Sequence, residues 1–237
     1  MAIRLPYTEP PYLSAKRVSR SFPLGVQEGA REVTALGTIS VEAYRGELIA
    51  LTGPSGSGKS TLLQVLSGLD RPSHGRIVVG GYDFGALSET SLAHVRNQLF
   101  GFVFQTPHVL RNRTVKENVA LPLTYAQPTK RKLHASRVDT LIDYVGLNQF
   151  ADRSPNTLSG GELQRLVFAR ALVLDPQIIF ADEPTAALDD VNANHLLSLL
   201  SEQSNSGRVV VMASHDPFAI AFADREIKLN KVADALV

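Results

Sequence analysis

The stretch "GELIALTGPSGSGKSTLLQVLSGL", Gly46 to Leu69, decides the fold. Leu48 to Leu51 form a continuous apolar run that ends in Gly-Pro, which suits a strand buried on both faces of a parallel sheet. A glycine-serine loop follows, "GPSGSGKST", Gly53 to Thr61. The next segment places Leu62, Leu63, Val65, Leu66 and Leu69 at helical spacing, and "DRPSHG" stops it with Pro72 and Gly75. Strand, glycine loop and helix in that order are the context in which the pattern G-x-x-x-x-G-K-[ST] has a physical meaning, and Gly53 to Ser60 match it.

That meaning is anion binding. Gly53, Gly56 and Gly58 let backbone amides turn inward with no Cβ in the way, and Pro54, Ser55 and Ser57 fill the loop between them. The amides and the N-terminus of the following helix make a concave phosphate site that extends to Thr61. Lys59 is positioned to reach the terminal phosphates as a point charge. Ser60 can offer its hydroxyl to Mg²⁺.

Outward from this loop the chain alternates strands and helices. "IIFAD", Ile178 to Asp182, and "RVVVMASH", Arg208 to His215, read as buried strands, and "REIKLN" as a last one. "LQRLVFARALVLDP" and "DVNANHLLSLLSEQS" read as helices, with "DPFAIAFA" a short one. This alternation predicts an α/β fold, a parallel sheet with helices on both faces. Before it, "YLSAKRVSRSF" and "TALGTISVEAY" predict a small antiparallel sheet, joined by a loop or hairpin over residues 23–32. "RIVVGGYDF" reads as a strand and turn. Residues 1–11 are proline-rich and are expected to be loosely ordered.

From residue 88 to 165 the character changes to a mostly helical insertion that also holds the short strand "GFVFQ". "RTVKENVALPLTYA" is expected to be one helix. "RKLHASRVDTLIDYVGL" is expected to be another, with Leu133, Val138, Leu141, Ile142 and Val145 on its apolar face. The expected organisation is a single domain: residues 1–87 and 166–237 form the α/β core with its β subdomain, and residues 88–165 form a helical subdomain.

Composition narrows the function. The 237 residues carry 24 lysines and arginines against 23 aspartates and glutamates, a formal charge of +1, which argues against a nucleic-acid binder. No cysteine is present, so disulfides and thiolate metal sites are excluded. The N-terminus lacks the apolar run of a signal peptide, and no window holds the roughly 18 apolar residues of a membrane span. The chain is expected to be soluble. If it works at a membrane, another chain supplies the spans.

The second half carries its own chemistry. "IIFADEP" ends an apolar strand in two carboxylates. Asp182 at the tip can reach Mg²⁺, and Glu183 can orient and polarise a water attacking the γ-phosphate. Upstream of it lies a second glycine loop, "LSGGE", Leu158 to Glu162, running into a helix.

With both loops in place the chain resembles the ATP-binding cassette family, the nucleotide-binding subunits of ABC transporters, from about Tyr12 to Asn230. "LSGGE" is similar to the signature LSGGQ and is its most specific element. The resemblance implies a P-loop NTPase core of the RecA-like type, ATP hydrolysis and the cofactors ATP and Mg²⁺. It implies that Phe22 stacks on adenine in place of the usual tyrosine. Gln105 would be a Mg²⁺ ligand and sensor, and His215 would contact the γ-phosphate. Asp189 in "AALDD" would communicate across a dimer.

The same resemblance implies that Ser159, Gly160, Gly161 and Glu162 cap the nucleotide of a second copy, so that two chains sandwich two ATP molecules head to tail. Glu162 departs from the usual glutamine, and "TAALDD" differs by one small residue from the common T-S-A-L-D. Neither departure puts hydrolysis in doubt.

"GLDRPSHG", "RNQLFGFVFQ", "VKENVALPL" and "ADEPTAALD" look like the lipoprotein-release and macrolide-export branch. That implies a homodimer on the cytoplasmic face of the inner membrane. Its partner would be an integral membrane permease of the macrolide-export, lipoprotein-release or cell-division type. The loop Thr106–Arg113, with His108, Val109 and Leu110 beside Arg111 and Arg113, would carry motion to membrane helices. A division-type regulatory ATPase with no cargo stays open beside transport. A soluble cassette acting on DNA or ribosomes is disfavoured, because this chain has one cassette and no heptad tract.

Overall fold

The computed structural model describes residues 9–24 and 31–231. The N-terminal segment expected to be loosely ordered lies mostly outside them, as does most of the expected loop over residues 23–32. The elements run β1 (Leu13–Leu24), β2 (Arg31–Ala43), β3 (Leu48–Thr52), α1 (Lys59–Leu66), β4 (His74–Val79), β5 (Tyr82–Asp83), α2 (Glu89–Leu99) and β6 (Phe100–Phe104). They continue with α3 (Val115–Ala120), α4 (Pro128–His134), α5 (Arg137–Tyr144), α6 (Gly160–Leu172), β7 (Ile178–Asp182), α7 (Asp190–Asn205), β8 (Val209–Ala213), α8 (Pro217–Ile220) and β9 (Arg225–Lys228).

Among the described residues the parallel sheet has the order β6-β7-β8-β3-β9. Its inner strands are buried on both faces, so successive side chains feed two different cores. Leu48, Ile179, Ala181, Val210 and Met212 pack toward α6, α7 and the helical segment. Ile49, Leu51, Ile178, Phe180, Val209 and Val211 pack toward α1, α2 and the antiparallel sheet. The near-continuous apolar runs of the sequence are the direct consequence.

The antiparallel sheet has the order β2-β1-β4-β5. Below it α1 buries Leu62, Leu63, Val65 and Leu66. At roughly 1.5–3 kcal/mol per side chain, that stripe contributes on the order of 6–12 kcal/mol before chain entropy is counted. The helix is preceded by its N-cap Gly58, held at φ 93°. A Cβ there would stand 2.6 Å from the Ala35 carbonyl oxygen, so the loop meets the β2 backbone at a distance only glycine permits.

The inserted segment differs from its reading in detail. β6 pairs with β7 along its whole length, so this strand lies in the parallel sheet although it falls within residues 88–165. The helix expected from residue 113 is α3 followed by a 3₁₀ turn at Leu121–Tyr125, with Pro122 near its start. The helix expected over residues 131–147 is two helices, α4 and α5, separated at Ala135 and Ser136.

Leu133 is not on the buried face; it is 70% exposed. Helical arithmetic explains why. Leu133 and Val138 are five residues apart, about 140° around a helix, while His134 lies on the same stripe as Val138. His134 is the buried residue.

Candidate functional site

Strand register assembles the site. Leu51 pairs with Ala213, Ala213 with Asp182, and Asp182 with Phe104. These four residues form one row at the carboxyl ends of β3, β8, β7 and β6. The chain that leaves this row supplies Gly53, His215, Glu183 and Gln105. Segments far apart in sequence thus converge at the edge where open α/β sheets bind ligands. Residues 53–56 and 58–61 line a cavity of about 650 Å³ there, together with Gln105, Glu183 and His215. Ser57 is buried beneath the loop, and its backbone amide donates to the Pro54 carbonyl at 3.1 Å.

Inside this cavity the polar groups are paired in a way that leaves function open to them. The Lys59 ammonium donates to the Gly53 carbonyl at 2.8 Å and the Pro54 carbonyl at 3.4 Å, which uses two of its three hydrogens. The Ser60 hydroxyl donates to Asp182 Oδ1 at 3.1 Å. Burial pushes the Asp182 carboxyl above its ordinary range; the Ser60 hydrogen bond opposes this, the Glu183 charge adds to it, and Lys59 opposes it. Ser60, Asp182 and Gln105 are oxygen donors, the kind that suits a hard divalent cation held by one or two carboxylates and substrate phosphates. No cluster of three or more histidine, cysteine or carboxylate groups exists among the described residues, so a closed all-protein metal cage is absent there.

Glu183 is held more tightly than its motif implies. Its φ is 44°, in the left-handed region, and its amide donates to the Ala213 carbonyl at 2.9 Å. A non-glycine residue pays on the order of 1 kcal/mol for that backbone. His215 Nδ1 and Glu183 Oε1 stand 2.8 Å apart, with the histidine exposed and the carboxylate mostly buried. The imidazole therefore fixes the direction of a carboxylate whose backbone is already fixed.

The second glycine loop does not line this cavity. It forms a reciprocal cap on α6: Glu162 N donates to Ser159 Oγ at 3.3 Å, and Ser159 N donates to Glu162 Oε2 at 2.7 Å. The backbone amide of Ser159 holds the Glu162 carboxyl below the usual range. The side of Gly160 is open space, whereas a Cβ on Gly161 would collide with the Asn192 side chain. Asp189 caps α7 and accepts from Asn192 N at 2.9 Å and Asn192 Nδ2 at 2.8 Å. Phe22 lies on β1, 41% exposed, with the Arg20 guanidinium 4.2 Å from its ring centre, and is likewise outside the cavity lining.

Three amides that belong to no sequence motif hold these parts together. Gln164, on α6, donates to the Phe104 and Pro184 carbonyls. Asn192 accepts from Arg165 while donating to Asp189, which ties the α7 cap to α6. Asn118 is fully buried; its Oδ1 accepts from Leu110 N, and its Nδ2 donates to the Leu110 and Thr114 carbonyls. Asn118 thereby pins the loop Thr106–Arg113. Arg170 reaches the same loop at the His108 carbonyl. Val109 packs against the core, so of the apolar pair expected at this surface only Leu110 is exposed. Beside the loop a mostly apolar cavity of about 500 Å³ lies between α2, β6, the 3₁₀ turn and α6, with Phe102, Phe104 and the exposed Tyr125 among its walls.

Known proteins carry the same build. A family profile described as ABC transporter matches residues 36–186. The chain is 40% identical over 219 residues to the macrolide export ATP-binding/permease protein MacB of Marinobacter nauticus, covering 92% of this chain and 33% of that protein. It therefore spans about a third of the length of the MacB relatives it matches. It is also 40% identical to the ABC transporter ATP-binding protein YvrO of Bacillus subtilis, covering 91% of this chain and 92% of YvrO.

Among solved structures, the ATP-binding cassette MJ0796, dimeric in a post-hydrolysis state bound to ADP and Pi, superimposes with a TM-score of 0.81 at 33% identity. That match covers 92% of this chain and 94% of the cassette. Sequence, sheet order and the row of strand ends agree: the chain belongs to the ABC transporter family, as an ATP-binding cassette of its MacB-like branch.

Proposed function

We propose that this chain binds and hydrolyses ATP in a head-to-tail pair with a second copy, and that closing and reopening of the pair drives a membrane partner. The observation that carries the reading is the row of strand ends that brings the phosphate loop, Gln105, Glu183 and His215 to one cavity.

Each residue has a task that its geometry allows. The amides of the loop and the N-terminus of α1 face the phosphates, and Lys59 turns its remaining donor toward them. Ser60, Asp182 and Gln105 would hold Mg²⁺, which when bound neutralises charge on the phosphates. Glu183 accepts the proton of the attacking water, and His215 holds that carboxylate in place. Phe22 offers a half-exposed ring for adenine, a role that needs only a π-face.

Ser159 caps the nucleotide of the second copy. Its oxygen accepts from Glu162 N, so its hydroxyl hydrogen is left to donate outward, and the open side of Gly160 lets a phosphate approach the amides. Asp189 and the segment around it would meet the same partner. The dimeric state of the MJ0796 cassette supports this arrangement.

No helix among the described residues is long and apolar enough to cross a membrane. A separate integral membrane subunit would supply the permease that the MacB relatives carry by name, with this chain on the cytoplasmic face of the inner membrane. The apolar cavity beside the loop Thr106–Arg113 is where a helix of that subunit would dock, with Gln105 next to it to sense the nucleotide.

The test is steady-state ATPase activity of the purified chain, with light scattering to follow ATP-dependent pairing. Cooperative hydrolysis and a doubling of mass with a slow-hydrolysing variant are expected. A chain that binds nucleotide yet stays monomeric and inactive under all ATP concentrations would refute the head-to-tail reading.

A further inference from the structure

Gln164 sits on α6 five residues past Ser159, in the interior of the protein, and is 2% exposed. Its Nε2 donates to the Phe104 carbonyl at 2.9 Å and to the Pro184 carbonyl at 2.9 Å. Both partners are carbonyl oxygens, which only accept, so the orientation of the amide follows from the bonds. Its Oε1 makes no hydrogen bond among the described residues. The two N–H bonds are therefore what the side chain contributes.

The two carbonyls are placed with consequence. Phe104 immediately precedes Gln105, and Pro184 immediately follows Glu183. One buried amide thus holds the backbone beside the nucleotide-sensing glutamine and the backbone beside the water-orienting carboxylate. It holds both to the helix whose first turn is the Ser159 cap. That helix is a stiff carrier: Leu166, Val167, Phe168, Ala169 and Leu172 are all buried along it. Displacing its first turn displaces Gln164 with it, because adjacent turns of a hydrogen-bonded helix move together.

We propose that Gln164 is a positioning residue that couples the signature end of α6 to Gln105 and Glu183 of the same chain, so that capping the partner's nucleotide sets the hydrolytic geometry of the chain's own site. The inference rests on the reading that Ser159 caps a nucleotide held by a second copy. Under it, the two sites of a pair are linked through α6 of each protomer. A site whose own signature end is disengaged has its Glu183 and Gln105 out of line.

The experiment replaces Gln164 with methionine, which keeps the length and volume and removes both donors, and with glutamate, which keeps the shape. Thermal melting and binding of a fluorescent ATP analogue to the monomer are measured alongside steady-state ATPase activity. A misplacement of ~1 Å costs on the order of 100-fold in rate when catalytic geometry is set at a distance. Loss of a tether rather than of the groups themselves should therefore lower kcat by about tenfold in Gln164→Met, with KM for ATP changed by less than about threefold. The Hill coefficient for ATP should fall toward one.

The glutamate variant adds a readout that a merely structural residue would not move. A buried carboxyl facing two carbonyl oxygens titrates above its usual range, and once protonated its O–H can donate to one of them. The activity of Gln164→Glu relative to wild type should therefore rise as pH falls. If the methionine variant does not fold, this pH dependence decides alone.

A Gln164→Met protein with kcat within twofold of wild type overturns the inference and leaves the ATPase reading standing. A wild type with a Hill coefficient of one, or a variant with an unchanged one, overturns the link between sites. A wild type that binds ATP and never hydrolyses it refutes the ATPase reading itself, and this inference with it.

Discussion

Replacing Glu183 with glutamine removes a proton acceptor and almost nothing else. Glu183 Oε1 lies 2.8 Å from His215 Nδ1, and a glutamine oxygen can accept from the same ring nitrogen. The backbone bond from Glu183 N to the Ala213 carbonyl is untouched. Both side chains pay equally for a φ of 44°, so stability should not change. What disappears is general-base assistance, commonly worth about 10²–10⁴-fold, or roughly 2.7–5.4 kcal/mol at the transition state. Phosphate release should fall by that factor while the monomer's affinity for a fluorescent ATP analogue stays within about twofold. With hydrolysis blocked, ATP should hold the chain as a pair in light scattering. Turnover within tenfold of wild type, with binding intact, would show that another group handles the proton.

A glycine at the same position separates catalysis from strain. Glu183→Gly relieves on the order of 1 kcal/mol of left-handed backbone and gives up the His215 hydrogen bond, also about 1 kcal/mol. The protein should melt within a few degrees of wild type and be inactive. A large drop in melting temperature would mean that the carboxylate is structural, and the strain argument would be wrong.

Three further outcomes follow from other parts of the molecule. Ser159→Arg should abolish hydrolysis and ATP-dependent pairing without weakening nucleotide binding by the monomer; loss of monomer binding would place Ser159 in its own chain's site. Asn118→Ala should lower stability in urea titration by about 1–3 kcal/mol, because it strands the Leu110 N–H, while the Leu110 and Thr114 carbonyls keep the Arg113 and residue-118 backbone amides; a loss below about 0.5 kcal/mol would remove its anchoring role. Burial holds the His134 imidazole below its ordinary pKa of 6.5, with Arg137 and Lys130 acting in the same direction and Asp175 against it. The unfolded chain then binds the proton first, so stability is full above that ordinary value and is lost as pH falls through it. His134→Leu should lose less stability than wild type between about pH 7.5 and about pH 5.5, and equal losses would refute the argument.

These residues differ in how far they could be read in advance. The phosphate loop, "IIFADEP" and "LSGGE" are contiguous, so their chemistry and local structure coincide in a few letters. The parallel sheet was legible for a related reason: strands buried on two faces become apolar throughout. Helix phase was less legible. Over residues 131–147 the apolar side chain of Leu133 points to it as part of the stripe, yet the spacing that fits Val138 and Ile142 selects His134. The sense of a helix is set by angle rather than by the polarity of one residue.

Gln164, Asn118 and Asn192 were not legible at all, because an amide has no motif. Its meaning lies in which carbonyls the fold brings to it, and those are 60 and 20 residues away for Gln164. The φ of Glu183 is of the same kind: it arises where the end of β7 meets β8.

The same distinction explains why the chain has two glycine loops of opposite fate. The first is completed within the chain by the strand-end row, and Lys59, Ser60 and Asp182 already bond one another or the loop itself. The second caps its own helix and lines no part of the cavity at that row. Gly161 is required by Asn192, which leans on it from α7, whereas Gly160 faces open space. A glycine with no neighbour to avoid has no internal reason to be one. The two adjacent glycines thus separate two demands: one serves the packing of α6 on α7, and the other serves an approach from outside. Substituting alanine at the two positions turns this into a measurement. Gly161→Ala should reduce melting temperature, because the Asn192 side chain must move and its bonds to Asp189 and Arg165 with it. Gly160→Ala should leave melting unchanged or raise it slightly, since the residue is in a helix where alanine is favoured by about 1 kcal/mol. Its cost should appear only in ATP-dependent pairing. If Gly160→Ala pairs and hydrolyses like wild type, the open face of this loop is not where a second copy's nucleotide arrives.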